Sequence, residues 1–118
     1  MARDPRVCIT HMIEALDHIA EDLAGHDFES FRGDRRARQL LERNLEILSE
    51  ASRGLPPALK EREPDTPWKA IAGIGNVLRH DYHRTYPRVL WDTVEKDLDP
   101  LRATPARLAR YLDEASRP

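Results

Sequence analysis

The stretch GNVLRHDY, residues 75–82, ends in a histidine, an aspartate and a tyrosine, a group of side chains that could do chemistry. The imidazole of His80 titrates near neutral pH, which suits proton transfer in catalysis. Arg79 stands directly before it, and a guanidinium binds phosphate oxygens through paired hydrogen bonds without losing its charge. Polar residues past a helix end are also commonly just solvated. The spacing therefore indicates either an acid–base site directed at phosphate or a solvated helix end.

Arginine and aromatic residues continue through RHDYHRTYPR, where Arg84 and Arg88 follow with tyrosines between them. Arginine interleaved with aromatic rings is suited to phosphate contact and base stacking in RNA. A second arginine-rich stretch, RGDRRARQLLER at residues 32–43, shares the arginine content. An arginine-rich helix start is more often a solvated face, so RNA contact stays one of two interpretations.

Other titratable residues have plainer explanations. His11 and His18 lie seven apart, but no carboxylate or cysteine completes a metal-ligand set at a familiar spacing, so we expect no metal site. Glu46 and Glu50 lie four apart and are expected to form a solvated face rather than an acid–base pair. Cys8 falls within an apolar pattern, which predicts a buried thiol rather than a nucleophile.

Composition bounds the class of protein. A chain of 118 residues is about one domain long, so we expect residues 1–118 to form a single domain. The net charge of −2 gives no general attraction to nucleic acid, so RNA contact requires a local patch. No apolar run approaches the ~20 residues that cross a bilayer, and the N-terminus lacks a hydrophobic signal core. With a single cysteine and no membrane segment, we expect a cytoplasmic protein.

Apolar residues recur at helical spacing through most of the chain, and no segment shows sustained β alternation. This pattern predicts a first helix over residues 5–24, capped by Asp4 and stopped by Gly25. After a turn at residues 25–34, a second helix is predicted from about Arg35 to Arg53. Its inward face is expected to comprise Ala37, Leu40, Leu41, Leu45, Leu48 and Ala51.

The second half of the chain predicts three further helices. After a short helical turn and a loop at residues 58–67, Pro67 is expected in the first position of a third helix, with Asp65 or Thr66 as its cap. A fourth helix is predicted over residues 86–98 and a weaker fifth over 100–115, with Pro105 kinking or splitting the last. The predicted fold class is all-α, an antiparallel helical bundle. The inward side of the third helix is expected to comprise Trp68, Ile71, Ile74, Gly75 and Leu78.

Three blocks of the chain resemble, in order and separation, the HepT family of the HEPN superfamily: ERNLEILSEASRGLP, PWKAIAGIGNVLRHDY and VLWDTVEKDLDPL. The likeness spans about residues 7–113. Members of that family are small all-α toxins encoded beside an MntA-type minimal nucleotidyltransferase antitoxin. The resemblance implies a homodimeric, metal-independent endoribonuclease that acts on RNA without a cofactor. The family motif reads R-N, three residues, then H-x-Y, and it is matched here by Asn76, His80 and Tyr82.

The resemblance also implies roles for these residues. His80 would handle protons as the RNA 2′-hydroxyl attacks the neighbouring phosphorus, with Asn76 one helical turn before it. Tyr82 would accept AMP from the nucleotidyltransferase, and the added nucleotide would block the RNA cleft. Positions 75 and 80 are about 140° apart around a helix, so one helix does not easily aim both at one phosphate. Two copies across a two-fold axis would do so, which agrees with an interfacial cleft.

Gly75 stands where the motif has arginine, and this departure leaves two hypotheses open. Glycine weakens a helix interior by roughly 0.5–1 kcal/mol relative to alanine, so it indicates either close packing or a relaxed constraint. In an active toxin, Arg79 would reach back over the glycine from one turn along, or Arg84 or Arg88 of a partner chain would supply the charge. Alternatively, the protein is a catalytically weakened HEPN module that binds the nucleotidyltransferase or RNA without cutting it.

Overall fold

The computed structural model describes residues 3–80 and 86–117, and the regular structure within these ranges is entirely helical. The long helices form an elongated bundle of 53 × 28 × 24 Å in which α1 and α5 each pack against α3 in the opposite direction. The predicted all-α bundle is confirmed. Its elements are α1 (Pro5–Leu23), α2 (Phe28–Arg32), α3 (Arg35–Arg53), α4 (Pro57–Lys60), α5 (Trp68–His80), α6 (Tyr86–Thr93), a π-helical segment (Val94–Leu98) and α7 (Thr104–Ala115).

One apolar core runs the length of the bundle. The predicted inward residues of α3 and α5 are buried, except that Trp68 is partly buried and packs against the core and Leu40 is 39% exposed. The buried stripe of α3 centres on Leu41, Leu45 and Leu48, so Leu40 lies about 100° away from the centre of that stripe. Cys8 is buried, as predicted. None of the described helices combines the length and apolar character that a membrane crossing requires.

Capping residues fix the first helices. The Asp4 carboxylate accepts a hydrogen bond from the Arg6 amide at 2.9 Å, and the chain leaves α1 through Gly25 at φ +81°. Helix α3 has the predicted bounds. The segment before it was expected to be a plain turn, which is wrong because it contains α2. There Asp27 and Ser30 cap each other's backbone amides, and burial of Phe31 holds the short helix on the core.

The start of α5 differs in one respect from the prediction. The Pro67 carbonyl accepts from the Ile71 amide at 3.0 Å, so Pro67 occupies the position before the helix rather than its first residue. The Thr66 hydroxyl is hydrogen-bonded to Thr104 at 2.7 Å. The Trp68 indole N–H donates to two carbonyls of the preceding loop at 3.1 Å each. These bonds fix where α5 begins.

The C-terminal region contains two further differences. The predicted helix over residues 86–98 is α6 followed by the π-helical segment, whose turns hold an extra residue. Pro105 does not kink a helix but lies in the first turn of α7, where its missing amide hydrogen has no helical partner to lose. Helix α7 then packs along α1, and the Arg6 guanidinium binds Asp113 at 2.8 Å.

Candidate active site

Helix α5 carries the motif and is helical as far as His80. The Ser49 hydroxyl of α3 donates a hydrogen bond to the Ala72 carbonyl at 3.0 Å, which fixes the register between the two helices. Because these helices run in opposite directions and each residue rises about 1.5 Å, position 80 lies roughly 12 Å along α5 from that bond, level with Leu41. The C-terminal end of α5 is therefore held beside the N-terminal half of α3.

The motif positions divide between two sides of α5. Asn76 is exposed, and position 80 follows it by one helical turn on the same side of the backbone. Gly75 is buried, within the core-facing stripe that contains Ile74 and Leu78, as predicted. A side chain at position 75 would therefore have to leave the helix between α5 and the elements packed on it. Asn76 and the backbone position of His80 are the motif features that the outer side of α5 presents.

Four other residues were assigned to the site: Arg79, Tyr82, Arg84 and Arg88. Arg79 lies within α5, one residue before its end. Tyr82 and Arg84 lie outside the described residues. Arg88 lies on α6, and about half of its side chain is exposed. Its guanidinium carbon is 3.7 Å from the centre of the Phe28 ring and its Nη1 is 3.5 Å from Asp92. Exposed ion pairs of this kind contribute about 0–1 kcal/mol, so the pair with Asp92 does little to hold the Arg88 side chain in place.

Aromatic packing brings α6 to the same end of the bundle. Trp91 of α6 contacts both phenylalanines of α2, with ring centres 6.2 Å from Phe28 and 5.1 Å from Phe31. Since α2 directly precedes α3, these ring contacts hold α6 beside the start of α3, and the register of α3 on α5 places the end of α5 toward the same end of the bundle. We call this region the arginine end, defined by Arg32, Arg35, Arg36, Arg38 and Arg88.

Glu42 is an acidic residue at this end that the sequence pattern did not single out. By the register of the two helices it lies on the side of α3 that faces α5, level with Arg79. Burial raises the pKa of its carboxyl, and the negative charge of Glu46 adds to the rise. Only the packing of α3 on α5 reveals this position, because nothing in the local sequence distinguishes Glu42 from Glu46 or Glu50. Those two lie on a solvated face in ion pairs with arginines, as expected.

The two histidines of α1 line a groove of about 390 Å³ between α1 and α3. Both are exposed, as is Glu14 between them, and Asn44 lies at the groove's buried side. Ion pairs cross and border the groove, including Arg3 with Glu50 at 3.0 Å. Among residues 3–80 and 86–117, no three histidine, cysteine, aspartate or glutamate side chains come together as metal ligands.

Comparison with known proteins shows the family to which the chain belongs. The family described as "Ribonuclease HepT-like" matches residues 12–108. The chain is 32% identical over 99 residues to "Putative RNase TTE0752" of Caldanaerobacter subterraneus subsp. tengcongensis, covering 84% of this chain and 88% of that protein. It is 33% identical over 102 residues to "Probable ribonuclease HepT" of Thermococcus cleftensis, covering 86% and 93%. No solved structure matches the chain. The protein therefore belongs to the HepT-like ribonuclease family.

Proposed function

We propose that the protein is a HepT-like toxin of a toxin–antitoxin pair, a cytoplasmic endoribonuclease that cleaves RNA without a metal. The observation that carries the proposal is the outer side of α5, where exposed Asn76 is followed one turn later by His80 at the last helical position. Membership of a ribonuclease family supports RNA as the substrate. The order of these residues matches the N-x-x-x-H-x-Y part of the family motif.

The proposed reaction is an internal transfer at phosphorus. His80 removes the proton of a ribose 2′-hydroxyl, and the freed oxygen bonds to the adjacent phosphorus while the bond to the 5′-oxygen breaks. The departing 5′-oxygen takes up a proton, which leaves a 2′,3′-cyclic phosphate and a 5′-hydroxyl. Asn76 holds a phosphate oxygen or the ribose by hydrogen bonding. No water, metal or cofactor enters this step.

A second copy of the chain would complete the site. On the outer side of α5, Val77 is 45% exposed, and a Cβ added at Gly73, one turn earlier, would meet nothing within 4 Å. These positions line a groove of about 240 Å³ together with Thr93 and Asp97. In a two-fold dimer, Val77 of one copy would pack over Gly73 of the other, and the reverse contact would form by symmetry. Such a contact would place Asn76 of both copies close to the two-fold axis, so that both chains would border one cleft.

The missing motif arginine requires another source of positive charge. Gly75 has no side chain and is buried, so it cannot offer a positive charge to a phosphate. Arg79, four residues further along α5, is the first candidate in the same chain. Arg84 or Arg88 of a partner chain is the further candidate, and about half of the Arg88 side chain is exposed on α6. A guanidinium from any of these would stabilise the charge that develops on the phosphate.

Control by the cognate nucleotidyltransferase is proposed to act through Tyr82. Transfer of AMP to its phenolic oxygen releases pyrophosphate from ATP and adds a charged, bulky group beside the catalytic histidine. Tyr111 is a poorer acceptor because the Arg62 guanidinium covers its ring at 3.4 Å. Mass spectrometry after incubation with an MntA-type enzyme, ATP and Mg²⁺ should place the nucleotide on Tyr82. Modification that persists in Tyr82→Phe would contradict this.

Gly75 favours a second candidate function. A HEPN module that lacks the phosphate-binding arginine would retain the dimer and the nucleotidyltransferase contact while cutting RNA weakly or not at all. Its role would then be to bind the nucleotidyltransferase or RNA. The two candidates share the fold and the RNA surface and differ only in turnover.

Cleavage of a labelled single-stranded RNA in EDTA tests the proposal. The wild-type protein should produce 2′,3′-cyclic phosphate ends, and His80→Ala should lower the rate by roughly 10²–10⁴-fold, the usual contribution of general acid–base catalysis. His11→Ala, on the exposed face of α1, is the matched control and should cut normally. Cleavage that survives His80→Ala or requires a metal would reject the assignment.

Light scattering tests the dimer. The wild type should be larger than one 13.6 kDa chain at micromolar concentration. Gly73→Ala should leave the fold intact, since the space there is open, but should weaken the dimer because the added methyl fills the recess for the partner's Val77. A wild type that is only monomeric, or a Gly73→Ala dimer as tight as wild type, would contradict the arrangement.

A further inference from the structure

The first turn of α3 has an unusual charge pattern. It carries Arg35, Arg36 and Arg38 and no acidic residue. The N-terminal end of a helix has a partial positive charge, which favours acidic side chains and disfavours basic ones. Three arginines at this position therefore act against the stability of the helix unless another interaction compensates.

Compensation within the protein reaches only one of the three. Arg38 donates a hydrogen bond to the Arg32 carbonyl, which ties α3 to α2. Arg35 and Arg36 are exposed and make no ion pair with any residue of the ranges 3–80 and 86–117. The neighbouring Asp34 carboxylate instead caps the Ala37 amide at 3.0 Å. Arg35 and Arg36 thus have no acidic partner among the described residues.

Their location connects them to the end of α5. Arg35 precedes Ser49 by 14 residues and so lies within about 40° of the direction in which α3 faces α5. It stands roughly 9 Å beyond the level of His80 along the axis of α3. Arg36 lies about 100° further round the same turn, away from α5. The two arginine positions therefore lie beyond the end of α5 and across the end of α3.

We propose that Arg35 and Arg36 form a phosphate-binding track that holds the RNA backbone beyond the cleaved phosphate. This inference rests on the proposed function, because it takes single-stranded RNA as the ligand. The phosphates of the bound strand would pair with the two guanidinium groups that have no acidic partner in the described parts of the chain, so the unfavourable position of both arginines at a helix N-terminus would be relieved in the complex. RNA fits better than an acidic protein surface because the track continues from the catalytic end of α5, where the substrate strand must leave the cleft.

Measuring RNA binding with a probe that cannot be cleaved tests this track separately from the cleavage reaction. The probe is a 20-nucleotide 2′-O-methyl RNA, which lacks the attacking hydroxyl, and anisotropy is measured across a salt series. Removing two phosphate contacts should reduce the slope of log K against log salt by about 1.4 and affinity at 0.1 M salt by on the order of twentyfold. The variant is Arg35→Gln/Arg36→Gln, and its Tm should rise slightly because two cations leave the helix N-terminus.

The matched control removes the same charge elsewhere. Arg110 and Arg117 are exposed on α7 and just after it, and Arg110→Gln/Arg117→Gln lowers the net charge equally. The control should retain nearly the wild-type slope and affinity. Equal losses in both double variants would overturn the proposal, since they would reflect overall charge. A lower Tm in Arg35→Gln/Arg36→Gln would also overturn it, since the arginines would then be structural.

Two further outcomes separate this inference from the function on which it rests. A wild type that binds the probe through Arg35 and Arg36 but does not cut normal RNA leaves the track intact and refutes the proposed turnover. Unchanged probe binding by the double variant, with weaker binding to an MntA-type nucleotidyltransferase, would overturn the track and make the same surface a protein contact.

Discussion

The two ends of the bundle differ in how many of their arginine side chains are held in ion pairs between segments. At the end formed by α4, the start of α5 and α7, which we call the paired end, Arg107 binds Glu63 at 2.7 Å and Arg6 binds Asp113 at 2.8 Å. At the arginine end, Arg35 and Arg36 have no acidic partner among the described residues. The same residue type therefore joins segments together at one end and is left available at the other.

This difference separates structural charge from functional charge. Glu63 is largely buried and its hydrogen bond to Arg107 raises the pKa of that guanidinium, so the pair fastens the loop before α5 to α7. Each partner there has a fixed position in the protein. Arg35 and Arg36 at the arginine end have a fixed backbone and side chains that are unpaired among the described residues, which is what a ligand of variable sequence and uniform charge requires. Substitutions at the two ends should therefore change different properties of the protein, RNA turnover at one end and stability at the other.

The largest effect concerns the missing motif arginine. If the protein is a weakened module, Gly75→Arg should raise RNA cleavage by roughly a hundredfold or more, because one well-placed cation stabilises the charge on the phosphate. If Arg79 already supplies that charge, Arg79→Ala should abolish cleavage, and Gly75→Arg should do little or cause harm because position 75 is buried. Both are assayed on one RNA beside wild type.

Gly75→Ala is the control for packing at that position without charge. An active wild type that neither Gly75→Arg nor Arg79→Ala alters would contradict both accounts. Arg84 and Arg88 would then be tested by the same assay.

At the paired end, Gly54→Ala should destabilise the protein without affecting RNA binding. A Cβ there would stand 2.6 Å from the buried Cys8 sulfur and 2.8 Å from the Arg3 Nε, so these side chains or the helices beside them must shift, at a cost of about 1–3 kcal/mol. Thermal unfolding measures the loss. Gly33→Ala, whose new methyl meets only ordinary contacts at 3.9 Å and beyond, is the control. An unchanged Tm in Gly54→Ala would show that the two helices are less closely packed.

The hydroxyl pair between Thr66 and Thr104 predicts a somewhat smaller effect. Thr104→Val leaves the buried Thr66 hydroxyl without its partner and should cost about 1–2 kcal/mol of unfolding free energy. Thr66→Val/Thr104→Val replaces both polar groups and should be less destabilised than the single variant. A double variant that loses the sum of two single losses would mean that the hydroxyls act independently. RNA affinity should stay unchanged throughout.

The smallest effect is a dependence of stability on acid. The Ser30 backbone and side chain hold the pKa of Asp27 below its usual value, so the folded protein binds this proton less readily than the unfolded chain. The resulting stabilisation is present above the unfolded pKa and is lost as pH falls through the folded pKa. Asp27→Asn keeps an acceptor that does not titrate, so its Tm should fall less steeply below pH 4. Parallel Tm curves for both proteins would contradict this.

The fold was predictable where a single helix contains its own signals. Asp4 and Gly25 bound α1, and the apolar stripe of α3 marks its full length, so both helices follow from local patterns. The errors fall where packing between elements decides. Helix α2 is stabilised because the Phe31 ring packs against Trp91, which lies sixty residues later in the chain. A local sequence pattern cannot predict a contact at that separation.

The residues of the candidate site likewise divide into those that the sequence predicts and those that depend on how the helices pack. The family resemblance identified Asn76, His80 and Tyr82, because a motif is defined by residue types and their spacing. It did not supply Glu42 or the open position of Arg35, since each depends on how α3 and α5 are aligned through Ser49 and Ala72. The pairing state of a charged residue likewise depends on tertiary neighbours, so the contrast between the two ends is absent from the sequence pattern.

The π-helical segment Val94–Leu98 is a place where the chain could lose one residue without disturbing the core. A π turn holds about one residue more than an α turn, so it absorbs an extra residue without rotating the chain beyond it. Both Val94 and Leu98 remain buried across it. Loss of one exposed residue there, such as Lys96, would restore ordinary helical pitch and keep the flanking faces in place. The segment is therefore a position where related chains can differ by one residue in length with the core unchanged, whereas a deletion in α3 would turn half of that helix away from its partners.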